Sequence, residues 1–138
     1  MLYRSTAREF VDVAHLELLR HQAPRIRQAC AEDAGQYSRI QEIEVPILAH
    51  YLDLEIEMWR AARDGIVDAD TQPHLNVIDA LCCALGRIAQ RGGDITLATP
   101  FLIPLVYQGG TLVRLSAAWA LREYRRTVED RRNPRRAV

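Results

Sequence analysis

The chain has 138 residues, enough for one domain with a buried core, and its 49% hydrophobic and 26% charged content is that of a globular protein. Eighteen arginines balance eighteen acids without a single lysine, so the net charge is zero and the long-range pull of a nucleic-acid binder is absent. No apolar run reaches the ~18–20 residues of a membrane span, and Arg8, Glu9 and Asp12 interrupt any secretory leader, which predicts a cytoplasmic protein.

Helical periodicity dominates from the N-terminus onward. Thr6 and Glu9 have capping-box spacing and start a helix that carries Phe10, Val13, Ala14, Leu16 and Leu18 or Leu19 inward, to about His21. Pro24 suits the first turn of a short second helix with Ile26 and Cys30 inward, ended by Gly35. A third segment runs from about Ser38. Pro46 either kinks it or opens a fresh helix that stops before Gly65. "GIVDADTQP" reads as a loop. The next helix covers Pro73 to Arg91, with Leu75, Ile78, Leu81, Cys82, Leu85 and Ile88 or Ala89 as its stripe. A shorter helix spans Thr99 to Gln108, Gly109-Gly110 breaks it, and a last helix runs from Thr111 to about Arg132. The expectation is one all-α domain of five to seven helices over residues 1–132, with a frayed basic tail at 133–138.

The second half repeats itself. At a separation of 36 residues, Val77, Leu81, Cys82, Ala84 and Leu85 fall on Val113, Ala117, Ala118, Ala120 and Leu121. Repeats of roughly 30–50 residues built from helix pairs mark a solenoid. Alanines beside Trp119 and Leu121 then let one layer of helices approach the next.

These residues resemble a known family. "FLIPLVYQGGTLVRLSAAWALREY", residues 101–124, is similar to a HEAT-type repeat, in which an apolar helix and a tight turn precede Val-Arg-x-x-Ala-Ala-x-Ala-Leu. Val113, Arg114, Ala117, Ala118, Ala120 and Leu121 match the second helix. Gly109-Gly110 stands where the turn usually carries an aspartate, and in the earlier copy Ile78 stands where the arginine would be. The resemblance is partial over residues 73–91 and absent before residue 46. It implies a short α-α superhelix that binds proteins and sometimes nucleic acid; an irregular helical bundle is the alternative. A chain this short holds only about three helix pairs, so an exposed terminal layer is suited to pairing with a second copy as a homodimer.

Charge is unevenly spread. Residues 42–79 hold nine acids against Arg60 and Arg63, a net of −7, and residues 114–138 hold eight arginines against three acids, a net of +5. In the acidic stretch, Glu44, Tyr51, Asp53, Glu55, Glu57, Asp64, Asp68 and Asp70 are the candidate partner-binding residues, with Met58 and Trp59 beside them. Carboxylates around aromatics suit capture of a basic protein surface. Trp59 is also the obvious core residue, and burial is its expected state.

Signals for chemistry are weak. His50, Asp53 and Glu57 share a helix face and with Glu44 would make an oxygen-rich metal site, but no second helix supplies a matching Glu-x-x-His pair. Cys82 or Cys83 with His74 would form a nucleophile and base, yet Cys82 lies in the apolar stripe. Three cysteines make no disulfide framework. Gly92-Gly93 and Gly109-Gly110 follow helices rather than strands, so no phosphate cradle is present. Arg122, Arg125, Arg126, Arg132, Arg135 and Arg136 could grip phosphates, but Glu129 and Asp130 interrupt them. The sequence therefore predicts a non-catalytic, cofactor-free protein-binding module, of adaptor or bacterial immunity or antitoxin-like kind, facing a basic partner. A nucleic-acid or metal-binding helical protein is the alternative.

Overall fold

The computed structural model describes residues 15–34 and 41–133, and among them all regular structure is helical. Five α-helices follow in order: α1 (Pro24–Asp33), α2 (Gln41–Arg63), α3 (Gln72–Gln90), α4 (Thr99–Gln108) and α5 (Gly110–Arg132). Two 3₁₀ turns, Glu17–Arg20 and Thr96–Ala98, precede α1 and α4. The capping pair Thr6–Glu9, the apolar Phe10, Val13 and Ala14, the stop at Gly35, the start at Ser38 and the tail beyond Asn133 lie outside the described residues.

Each helix has a readable local cause. Pro24 opens α1, where its missing N–H costs nothing. Cys30 and Ala31 face the core from α1, but Ile26 does not: it is 38% exposed, and Arg27 is the residue turned inward. The expected apolar position therefore shifts by one residue, for a reason that lies on α2. That helix runs unbroken through Pro46, which sits at an exposed position while Val45, Leu48, Ala49, Leu52, Ile56 and Trp59 are buried. Burial of that stripe outweighs the one backbone hydrogen bond the proline omits.

Helix α3 is central. Ten of its residues, from Val77 to Ala89, are buried on more than one side, as expected of a helix covered all round. It packs against α1, α2 and α5, while α4 packs along α5 and touches α2. So α1, α3 and α5 form one row and α2 and α4 a second, with one continuous apolar core between them.

The small residues of α5 work as the sequence suggests at two positions and not at a third. Ala117 and Ala120 are fully buried, whereas Ala118 is exposed. Residues 113, 117 and 120 share a helical face, and position 118 lies a further step round. The closest approach is made instead by Gly86 of α3, where a Cβ would overlap the Trp119 ring. Polar bonds reinforce the contact: Ser116 donates to Asp79, and Thr127 Oγ1 donates to the Ala89 carbonyl at 2.6 Å. On the other side of α3, Arg87 Nη2 donates to the carbonyls of Glu32 and Ala34 at 2.8 and 2.9 Å and so closes the open end of α1.

Candidate functional site

Helix α2 carries most of the candidate residues, and its periodicity splits them. Its buried stripe leaves two flanks. Asp53 (half-buried) and Glu57 (exposed) stand on one flank. Tyr51 and Met58 stand on the other, and with Leu54 they line a groove against the 3₁₀ turn before α1. The carboxylates and the aromatic surface expected to form one patch are therefore separate. Trp59 is core, 5% exposed, with the Arg63 guanidinium 4.8 Å from its ring centre.

Two candidate carboxylates point inward. Glu44 is buried, and Glu55 is only 2% exposed. Arg27 binds Glu55 with both sides of its fork, Nε to Oε1 at 2.8 Å and Nη2 to Oε2 at 3.1 Å. His74 Nδ1 lies 2.6 Å from the same Oε2. Arg27 Nη1 also donates to the carbonyls of His21 and Gln22, at 2.8 and 2.9 Å. This network ties the turn before α1 to α2 and α3, and it is why Arg27 rather than Ile26 faces inward. Glu55 is correspondingly an internal anchor, where a docking carboxylate was expected. A buried fork–carboxylate pair is geometrically specific, and losing one partner strands a charge. No spacing rule in the sequence links residues 27, 55 and 74.

The remaining carboxylates gather just beyond α2. Gly65 takes the left-handed conformation at φ +74°. Its N–H donates to the Ala62 carbonyl at 3.2 Å, and the Ile66 N–H donates to the Ala61 carbonyl at 2.9 Å. This pair of bonds is a Schellman cap, which usually turns the residue after the glycine back onto the helix. Here Ile66 is 78% exposed and Val67 52% exposed. Asp64, Asp68 and Asp70 flank them in the chain, all exposed. Arg63 Nε donates to Asp64 at 2.9 Å, and that hydrogen bond holds the Asp64 carboxyl below its usual range. Asp70 accepts the Gln72 N–H at 3.0 Å and pins the far end of the loop at the start of α3. The outcome is an ordered acidic turn that displays two branched apolar side chains. The signal was present in the sequence as Ile-Val enclosed by three aspartates.

The other candidate chemistries do not assemble among the described residues. No group of three or more His, Cys, Asp or Glu is arranged to hold a metal ion there. His74 is engaged by Glu55, and burial raises the Cys82 thiol well above its ordinary value, with Cys83 and Asp79 adding to the shift. Burial likewise pushes Cys30 up to about 11, with Asp33 contributing. Such thiols stay protonated at neutral pH and are poor nucleophiles. On α5, Arg125 pairs with Glu129 at 3.0 Å and Arg126 with Glu123 at 3.7 Å, while Arg131 donates to the Gly92 carbonyl. The arginine row is thus partly neutralised within its own helix.

No helix among the described residues is long and apolar enough to cross a membrane. Comparison of the chain with family models, with curated proteins and with solved structures gave no match in any of the three.

Proposed function

We propose that this is a non-catalytic protein-binding module, a short HEAT-like stack of helix pairs, that captures a basic partner on the turn 64–70 and the adjoining acidic flank of α2. The observation that carries the reading is the exposed Ile66–Val67 pair, fixed by a Schellman cap and flanked in the chain by the exposed Asp64, Asp68 and Asp70. Apolar anchors inside a charged rim are the usual composition of a protein interface. The carboxylates speed encounter with a positively charged surface, and the two branched side chains supply the desolvated contact. Glu57 and Asp53 extend the acidic rim along the helix. The stacked rows of helices support a scaffold role, in which a rigid framework presents one recognition loop. A cytoplasmic adaptor, or an immunity or antitoxin-like inhibitor of a basic toxin, is the concrete form of this reading. The outward side chains of α4 and α5, Ile103, Tyr107, Leu112 and Leu115, are compatible with a second copy packing there.

The test is affinity capture from the native host with the wild-type chain and with an Ile66→Ser/Asp68→Lys/Asp70→Lys variant. All three positions are exposed, and an unchanged helical circular dichroism spectrum is checked first because Asp70→Lys also removes the acceptor of the Gln72 N–H. The reading expects the wild type to retain a basic partner and the variant to lose it. Equal recovery of the same partner by both chains would remove the turn from the interface.

A further inference from the structure

The groove beside α2 is a second, chemically different surface. It encloses about 610 Å³, within the size range of small-molecule sites. Leu19, Leu54 and Met58 give it an apolar wall, with Leu54 and Met58 each 40% exposed. Its rim is a set of donors. His21 Nδ1 accepts the Ala23 N–H at 2.9 Å, so the ring proton sits on Nε2 and is available to a ligand. The Tyr51 hydroxyl has no hydrogen-bond partner among the described residues; His50 meets its ring edge-on, with centroids 5.1 Å apart. Among the described residues Arg20 pairs with Glu17, three residues earlier, at 3.2 Å, with both side chains more than half exposed. Such a surface pair is weak and exchanges readily. The single carboxylate in the lining, Glu55, has both oxygens engaged by Arg27 and His74. Among the described residues the groove therefore combines apolar walls with a rim of donors, and the carboxylates near it, Glu55 in the lining and Glu17 on Arg20, are both engaged.

We propose that this groove binds an amphipathic carboxylate, a small molecule with one carboxylate head on an apolar chain. The head is received by the Arg20 fork, His21 Nε2–H and the Tyr51 hydroxyl, and the chain lies along Leu19, Leu54 and Met58. The planar guanidinium fork matches a carboxylate, and the apolar wall accounts for a tail that a simple inorganic anion lacks.

Isothermal titration of the full chain with decanoate, below its micellar concentration, tests the site. The expected result is saturable binding of one decanoate per chain, at least about tenfold tighter than 1-decanol, which lacks the charge, and than acetate, which lacks the tail. Arg20→Gln and Leu54→Asp each weaken decanoate by about tenfold or more. Both positions are exposed, so each variant is checked for an unchanged circular dichroism spectrum first. The Ile66→Ser/Asp68→Lys/Asp70→Lys variant binds decanoate as the wild type does, which separates this site from the partner-binding turn. Non-saturable uptake, equal binding of decanol, or decanoate binding unaffected by both Arg20→Gln and Leu54→Asp would overturn the assignment.

Discussion

Helix α3 is joined to its neighbours in two unlike ways. Toward α5 the junction is built by shape: Gly86 receives the Trp119 ring, and Ala84, Ala117 and Ala120 are fully buried in the shared core. Toward α1 and α2 the same apolar core is keyed by charge: Glu55 of α2 takes Arg27 of α1 and His74 of α3. Shape-built contacts tolerate loss of a methyl group better than gain of one. A charge-built contact tolerates loss of both partners better than loss of one. The same helix thus carries two opposite rules for what breaks it.

The charge-built side carries the largest expected effect. Glu55→Gln or Arg27→Met, each alone, takes the opposite charge from a buried group and lowers unfolding stability by about 3–5 kcal/mol in urea titrations. The double variant Arg27→Met/Glu55→Gln loses less than the sum of the two singles. Full additivity would mean that the pair does not act as a unit. On the shape-built side, Gly86→Val drives a side chain into Trp119 and costs about 1–3 kcal/mol, read as a lower thermal midpoint. A Gly86→Val protein as stable as the wild type would show that the two helices are not in close contact there.

A smaller effect distinguishes the polar tie at the end of α5. Asp94 accepts hydrogen bonds from the Thr96 N–H at 2.9 Å and from the Tyr124 hydroxyl at 2.8 Å. The Thr96 hydroxyl and N–H, then Tyr124, hold the Asp94 carboxyl below its usual range. Its folded-state value is depressed, so its stabilisation is present above the ordinary carboxylate value and fades as pH falls through the folded one. Asp94 is exposed, and solvent screening keeps the contribution under about 1 kcal/mol. Asp94→Asn should therefore be slightly less stable at neutral pH, and the gap should close below about pH 4. A gap that widens on acidification would contradict the assignment. The smallest effect belongs to the turn: Ile66→Ser changes stability by no more than about 0.5 kcal/mol, because the side chain is already in water.

The sequence made the shape-built half legible and left the charge-built half hidden. Helical periodicity marks Leu75, Ile78, Leu81, Leu85 and Ala117 because a core face repeats along its own helix. It reads Ala118 one step too far, since a run of small residues does not say which of them faces in. Pro46 could have been a kink or a start, and the buried stripe on either side of it made the helix continuous. Arg27, Glu55 and His74 come from three separate elements, so their meeting depends on tertiary packing that no local pattern encodes. For the same reason Glu44 and Glu55 look like surface acids in the sequence, and Tyr51 looks like a neighbour of Glu57 although the two lie on different flanks. The turn was legible as a loop, but the outward aim of Ile66 was not, because a Schellman cap more often folds that residue onto its helix.

The most direct test of the binding account is hydrogen–deuterium exchange on the chain alone and in complex with its captured partner. The account predicts new protection concentrated over residues 57–70, with α5 beyond Arg122 unchanged. Protection confined to the arginine row of α5, with 57–70 exchanging as in the free chain, would contradict it.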